Sequence, residues 1–443
     1  MKIVVVGGGI SGVSAAYLLK KHTKYDVVLV EKEKQTGGKA ATFKEEGYTI
    51  ETGPNGFLDN KEEIKRLIND SGFDDNVIES KDESRSRYIF SNGRLYQLPE
   101  NPIKLFFSDF FSLKGLLEIF KEPFIEQYMQ DETLEQFVKR RLGKEMLDKL
   151  IGPMACGVYA GNPKYMSMDA TFKKIKDIER QYGSLIKGLI SMMKQKKAKA
   201  SSASGPFSAK LMSFKNGVGS FVNHLAGNIN RMEGEVVNIA KQEKGYRIDT
   251  KRDSIYADYV VFAAPAYALS KITEKLDNEF SQILNMLEYA PLSVVSLGFD
   301  KKNMPEIVNS FGYLFNLNDI KDTIGVLFDS SIFDFRAPED KVLVRVMIGG
   351  AIKKQSAFKN KIYGTAVQEL QRSASIFNAF EYSHLKRHTF AIPQYGLNHK
   401  EIIDSIKEFE RRNRGIFITG NAFYGVSLND CVAASYELIS KVL

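Results

Sequence analysis

The strand-like run Lys2-Ile3-Val4-Val5-Val6 leads straight into Gly7, Gly9 and Gly12, spaced as GxGxxG, and no other stretch of the chain restricts its fold so tightly. Gly7 permits a tight turn, Gly9 lets a pyrophosphate approach the backbone, and Gly12 lets a following helix, predicted over 13–20, lie close on the strand. The phosphates then meet the positive end of that helix. A second apolar strand over 26–30 ends at Glu31, 19 residues after Gly12, placed to accept hydrogen bonds from the hydroxyl pair of an adenosine ribose. An acid there favours FAD or NAD over NADP. Glycine-rich turns occur in other α/β proteins; the strand before, the helix after, the second strand and the terminal acid together read as dinucleotide binding.

The same opening imitates a secretory signal, with Lys2 ahead of uncharged residues 3–19, but four glycines interrupt it and Lys20-Lys21 follow without a small-x-small cleavage site. A folded strand and helix is the reading adopted. Uncharged apolar windows elsewhere, such as 259–270 and 416–429, fall short of the ~20 residues a spanning helix needs. With 443 residues, 43% hydrophobic and 26% charged, the chain has the balance of a folded protein of two or three domains. Two cysteines, Cys156 and Cys431, and histidines at 22, 224, 384, 388 and 399 offer no disulfide framework, CxxC pair or local metal cluster. A reducing compartment fits, and no metal is expected.

No second GxGxxG with its own strand and acid is present to hold a nicotinamide donor. The chain therefore reads as an oxidase, taking electrons from an organic substrate and passing them to oxygen or another small acceptor. Later segments look like returning pieces of the cofactor domain: a turn and helix over 216–226, strands over 235–239, 246–250 and 259–263, a strand into a turn over 416–421, and a closing helix over 430–442. Between them lie a helical region, about 100–200, and a strand-rich region, about 280–395, with strands over 292–299, 311–315, 324–328 and 342–348.

The charge is uneven. Residues 164–215 hold twelve Lys or Arg and three Asp or Glu, a local +9 against +8 for the whole chain. The stretch 195–206 reads as a mobile, solvated loop. Beside it Leu185, Ile186, Leu189, Ile190, Met192 and Met193 alternate with Lys187 and Lys194; this is either a solvated face or one attracted to anionic lipid. Nucleic acid is not an expected partner, because few aromatics interleave the basic residues. A second apolar stripe over 103–124, with Leu105, Phe106, Phe110, Phe111, Leu116, Leu117 and Phe120, reads by default as core, with a membrane-dipping or ligand-channel role as the alternative.

Further motifs carry a resemblance. Gly37-Gly38-Lys39 and Glu51-Thr52-Gly53-Pro54 are similar to the extended fingerprint of FAD enzymes related to flavin amine oxidases. Cys156-Gly157-Val158-Tyr159-Ala160-Gly161-Asn162-Pro163, Ile392-Pro393-Gln394-Tyr395 with His399, and Gly425-Val426-Ser427-Leu428-Asn429-Asp430-Cys431 resemble signatures of the oxygen-dependent protoporphyrinogen and coproporphyrinogen oxidases. The likeness extends to Arg87-Tyr88-Ile89 with Gly93 and to Phe335-Arg336-Ala337-Pro338 leading to Gly349-Gly350.

The resemblance implies an α/β plus α+β architecture in three parts: a discontinuous Rossmann-like FAD-binding domain (1–57, 215–272 and 405–443), a strand-rich substrate domain (58–99 and 273–404), and a helical membrane-associating domain (100–214). It implies oxidation of a porphyrinogen to the porphyrin of the haem pathway, with oxygen as acceptor giving hydrogen peroxide. It places Arg87 on a substrate carboxylate, Asn55 close to both ring systems, Leu314 and Leu327 around a pyrrole, and Gly157 as backbone without side-chain obstruction. Met347 stands where relatives place an aromatic. Gly7, Gly9, Gly12, Glu31, Gly38, Lys39, Gly53, Pro54, Val236, Asn421 and Val426 are implied to hold the cofactor, Val236 through its backbone at the adenine. Cys431 reads as a small buried helix residue near a noncovalent flavin. No proton acceptor is assigned. The implied setting is cytoplasmic, with peripheral contact on the inner face of the cell membrane; a homodimer, and the choice between the two porphyrinogens, stay open. Two alternatives remain: an amine oxidase or carotenoid desaturase of the same superfamily, the first disfavoured by the absence of Trp, and a catalytically silent flavoprotein that binds or delivers porphyrins.

Overall fold

In the computed structural model, which describes residues 1–99, 104–105, 108–198 and 209–443, the opening strand Lys2–Val6 is the centre of five parallel strands. Their order is Asn230–Glu233, Asp26–Glu31, Lys2–Val6, Tyr259–Phe262, Ile416–Ile418. Burial on both faces explains why these strands read as unbroken apolar runs. The first helix spans Ile10–His22, three residues earlier than the sequence indicated, because Gly12 lies inside its first turn; a Cβ at Gly12 would sit 1.9 Å from Gly7 O. The closing helix Leu428–Val442 begins at a capping box formed by Ser427 and Asp430. It packs on the first helix, where Ser435 Oγ donates to Ser11 O at 3.1 Å.

A mixed seven-stranded sheet forms the second layer, in the order Tyr382–Pro393, Tyr289–Asp300, Lys341–Gly349, Thr323–Phe328, Gly312–Phe315, Arg87–Ser91, Arg94–Leu98. Only the pair Gly312–Phe315 and Arg87–Ser91 is parallel. Side chains alternate between its faces. One face, with Phe90, Leu297, Tyr313, Val326, Val344 and Val346, packs under the helix Ile362–Ala374. The other carries Arg87, Leu314, Gly325, Leu327, Arg345, Met347 and His388, which the register sets side by side across neighbouring strands.

Helices Leu113–Phe120, Leu134–Leu142, Gly152–Tyr159, Lys173–Tyr182 and Leu185–Ala198 form the third part. Its interior is held by a buried ionic network. Arg141 meets Glu179 at 2.6 Å and Glu122 at 3.2 Å, and Lys176 meets Glu132 at 2.6 Å. Glu122 also accepts from Leu185 N at 2.8 Å, fixing the start of the last helix. Lys176, counted in the basic run, is thus a paired interior residue. Within the stretch read as a loop over 195–206, residues 195–198 continue the helix, and 199–206 lie outside the described residues.

Leu211–Phe214 pairs antiparallel with Phe57–Leu58 and Val77–Glu79 in a small three-stranded sheet. The stripe 103–124 divides. Leu105, Phe110 and Phe111 are buried, whereas Leu113, Leu117, Phe120 and Phe124 are 61–88% exposed; residues 103 and 106 lie outside the described residues. Among the described residues no helix is long and apolar enough to cross a membrane.

Candidate functional site

The carboxyl ends of the parallel strands converge on one place, as expected of a ligand site in such a sheet. Gly37 N donates to Gly8 O at 2.8 Å, and a Cβ on Gly38 would sit 3.3 Å from Gly9 Cα, so the Gly37-Gly38 turn lies against the first glycine turn. A Cβ at Gly9 would meet nothing within 4 Å, so the backbone there faces open space. The helix starting at Ile10 has no side-chain cap and no acidic residue in its first turn, which leaves its N–H groups to an anion. Glu31 accepts from Gly8 N at 2.5 Å and from Glu33 N at 2.9 Å, fixing its carboxylate beside the glycines. Val236 begins the next strand, two residues after Gly234 N donates to Glu31 O at 2.9 Å.

Lys39 continues the arc. A Cβ on Gly53 would be 2.0 Å from Lys39 O, so Gly53-Pro54 press on the lysine backbone. Lys39 Nζ is buried and has no hydrogen-bond partner among the described residues; it lies 5.0 Å from the Tyr289 ring centroid, and burial lowers its pKa to about 8. An orphaned ammonium at the end of a glycine cradle, with a carboxylate at the other end, fits a dinucleotide with an anionic pyrophosphate. Asn421 and Val426 follow the strand Ile416–Ile418, whose neighbour Tyr259–Phe262 leads to Ala263, beside Gly7. Cys431 is buried in the closing helix and its thiol is pushed up to about 11, chiefly by burial, so it is no nucleophile at neutral pH.

The inner face of the seven-stranded sheet meets this arc at Thr52 and Gly53, whose carbonyls accept from His388 and Arg345. Three residues there stand out. In Gly312–Phe315 only Leu314 escapes full burial, in Thr323–Phe328 only Leu327, and in Lys341–Gly349 only Met347 and the terminal Lys341. Leu314 is opposite Gly325, which is opposite Met347. A Cβ at Gly325 would lie 2.8 Å from Leu314 and 3.2 Å from Met347, and one at Gly157 would lie 2.9 Å from Leu314. The two glycines therefore let a leucine, a methionine and a helix backbone close around one apolar strip. Arg87, opposite Gly312, stands at its rim over the Phe311 ring at 4.7 Å, and among the described residues no carboxylate pairs with it.

Two buried groups support this junction, and of their members Arg345 and Asp329 are absent from the motifs read in the sequence. Arg345 donates to Gly53 O at 2.8 Å and to Asp329 Oδ1 at 3.0 Å, and Arg336 lies 3.9 Å from Glu51. Burial pushes the Asp329 and Glu51 carboxyls up, and the two arginines oppose it. This buried quartet anchors the loop bearing Asn55 through the Arg345–Gly53 contact. An arginine inside the apolar run Val342-Leu343-Val344-Arg345-Val346 was the available signal; for Gly325 it was a glycine inside a β-branched strand. His388 Nε2–H donates to Thr52 O at 2.8 Å, and burial lowers its pKa, so it is neutral and faces the cofactor arc.

The sequence and the fold have known counterparts. A family model described as flavin containing amine oxidoreductase matches residues 10–437. Protoporphyrinogen oxidase 1, chloroplastic, of Spinacia oleracea is 28% identical over 99% of this chain and 84% of its own length. Coproporphyrinogen III oxidase of Staphylococcus aureus is 26% identical over 99% of both. A solved structure from an Exiguobacterium species superposes with a TM-score of 0.84 at 23% identity, covering 100% of this chain and 98% of that one, which establishes the likeness of fold.

Proposed function

Since this chain belongs to the flavin containing amine oxidoreductase family and is an FAD-dependent oxidoreductase, we propose that its substrate is a porphyrinogen, oxidised to the porphyrin with oxygen as the final acceptor. The observation that carries the reading is the apolar strip of Leu314, Leu327 and Met347, part-exposed in strands otherwise buried, with Arg87 at its rim, to which no carboxylate among the described residues is paired. A flexible apolar macrocycle bearing carboxylates needs that combination.

Bound FAD supplies the two-electron acceptor for hydride from a bridging carbon. The chain supplies position. Leu314 and Leu327 enclose a pyrrole, Met347 adapts its thioether to the ring edge, and Gly157 lets the macrocycle approach the helix backbone. Arg87 grips a carboxylate through its guanidinium fork. Asn55, on the loop held by the Arg345–Gly53 contact, would lie close to both ring systems. Gly7, Gly9, Gly12, Glu31, Gly38, Lys39, Gly53, Pro54, Val236, Asn421 and Val426 hold the cofactor in this reading, and the chain divides into cofactor, substrate and helical parts near residues 57, 99, 214, 272 and 404.

The helical part serves as a peripheral anchor on an anionic leaflet. Leu113, Leu117, Phe120 and Phe124 recur at helical spacing on the outside, and Leu189, Ile190 and Met193 are exposed between Lys187 and Lys194. An apolar substrate dissolved in lipid would then reach the strip without crossing water.

The test is aerobic turnover of coproporphyrinogen III and protoporphyrinogen IX in separate reactions, following porphyrin fluorescence and hydrogen peroxide. At least one porphyrin should grow with one peroxide for each two-electron round. Arg87→Met should raise KM by about tenfold to a hundredfold while kcat stays within about threefold, since a charge-assisted contact made equally before and during reaction is lost. Turnover of neither substrate contradicts the proposal.

A further inference from the structure

The motif Ile392-Pro393-Gln394-Tyr395, with His399, has no role in the reading above. Its geometry is specific. Tyr395 is 2% exposed, and its hydroxyl donates to Asn421 O at 2.6 Å and accepts from Gly425 N at 3.0 Å. One buried oxygen thus bridges both ends of the turn 421–425. The Tyr395 ring stacks on His399 with centroids 4.0 Å apart, and His399 Nε2–H donates to Phe423 O, in the middle of the same turn, at 3.0 Å. Gly425 has φ +111°, a conformation with no intrinsic preference to hold the turn, so the bonds from Tyr395 and His399 fix it.

Gln394 reaches the other way. Its Nε2 donates at 2.9 Å to the carbonyl of Tyr159, the last residue of the helix that carries Gly157. Tyr395 O accepts from Ser167 N at 2.9 Å, at the start of the next helix. Two consecutive residues therefore tie the turn 421–425 to the helix that faces Leu314.

We propose that Tyr395 is a positioning residue that sets the turn 421–425 against the flavin, and that Gln394 locks the Gly157 helix to the same frame, fixing the distance between flavin and substrate strip. The proposal rests on the reading that Asn421 and Val426 meet the flavin. A phenol suits the task because it donates and accepts at one atom, and burial keeps it protonated. Without the hydroxyl, a carbonyl and an N–H lose their partner together, and the turn relaxes beside a reaction sensitive to small displacements.

The experiment compares Tyr395→Phe, Gln394→Ala and Val426→Glu with the parent holoenzyme and its apoprotein. FAD affinity is read by flavin fluorescence quenching, the bound flavin by its visible spectrum, and kcat and KM with whichever porphyrinogen is turned over. Tyr395→Phe should bind FAD about tenfold more weakly, shift the visible bands and lower kcat about tenfold, with KM changed less than about threefold. Gln394→Ala should raise KM while FAD affinity and spectrum stay at parent values. A folded Tyr395→Phe with parent affinity, spectrum and kcat overturns the proposal.

Val426→Glu places a carboxylate at the turn and separates the two readings. Weakened FAD binding there, with none in Tyr395→Phe, removes only the proposal; unchanged binding in Val426→Glu removes the flavin contact and the proposal with it. Should Tyr395→Phe not fold, 3-fluorotyrosine at position 395 keeps the ring and hydroxyl while altering both hydrogen bonds. A shifted flavin spectrum then supports the proposal, and an unshifted one overturns it.

Discussion

Lys39 holds its ammonium in a buried space with no hydrogen bond from the described residues, and burial, opposed by Cys431, lowers its pKa to about 8. In its proposed place at the pyrophosphate Lys39 is favoured in the charged form, so FAD binding should raise that pKa. Affinity is then complete below about 8 and falls as pH climbs beyond it, because the apoprotein must first take up a proton. For the apoprotein's own stability the sign reverses: the unfolded lysine keeps its proton up to its ordinary 10.5, so this residue's contribution to stability rises between about 8 and 10.5. Titrating FAD into the apoprotein across pH checks the first statement. Lys39→Arg should abolish the decline at high pH, Lys39→Met should give weak binding at every pH, and a parent profile flat through pH 8 contradicts the assignment. The place of Lys39 after Gly37-Gly38 was visible in the chain, whereas its burial was not, since nothing local announces that Gly53 and Tyr289 will cover it. Arg345 was visible as an arginine inside an apolar run, but its contact with Gly53, 292 residues away, was not.

At the scale of elements, periodicity identified apolar stripes without saying what covers them. The stripe in 103–124 has the spacing of core, and Phe110 and Phe111 are core, yet Leu113, Leu117 and Phe120 face outward. A 3.6-residue repeat marks a face that prefers to leave water, and protein and lipid satisfy it equally. Charge was as ambiguous: Lys176 is buried in the ionic network, whereas Lys187 and Lys194 are exposed beside the apolar residues of their helix. Co-sedimentation with vesicles measures the outcome. Phosphatidylglycerol vesicles should bind the protein several-fold better than phosphatidylcholine vesicles, the excess should fade with added salt, and Leu117→Glu with Phe120→Glu should reduce binding about tenfold. Binding that ignores lipid charge, salt and these substitutions contradicts the anchor.

Across the whole molecule, the strip is assembled from segments far apart in the chain. Arg87 comes from a strand ahead of the helical part, Leu314, Leu327 and Met347 from three later strands, and Gly157 from the helices between. The strands bearing Leu314, Leu327 and Met347 were legible as apolar runs and the nucleotide-binding opening from its glycines, whereas Arg87–Ser91 stood out only as a motif and not as a strand. Strand order and register were not legible, because pairing is settled by which faces the cofactor layer and the helix Ile362–Ala374 bury. Gly325 shows the limit: its use is clear only once Leu314 and Met347 close over it from neighbouring strands. The central claim is that this strip presents a macrocycle's bridging carbon to the flavin. Anaerobic mixing of the holoenzyme with a porphyrinogen tests it most directly. The yellow flavin should bleach as red porphyrin fluorescence rises in the same time course, whereas bound pigment with no bleaching, or bleaching by an amine alone, would contradict it.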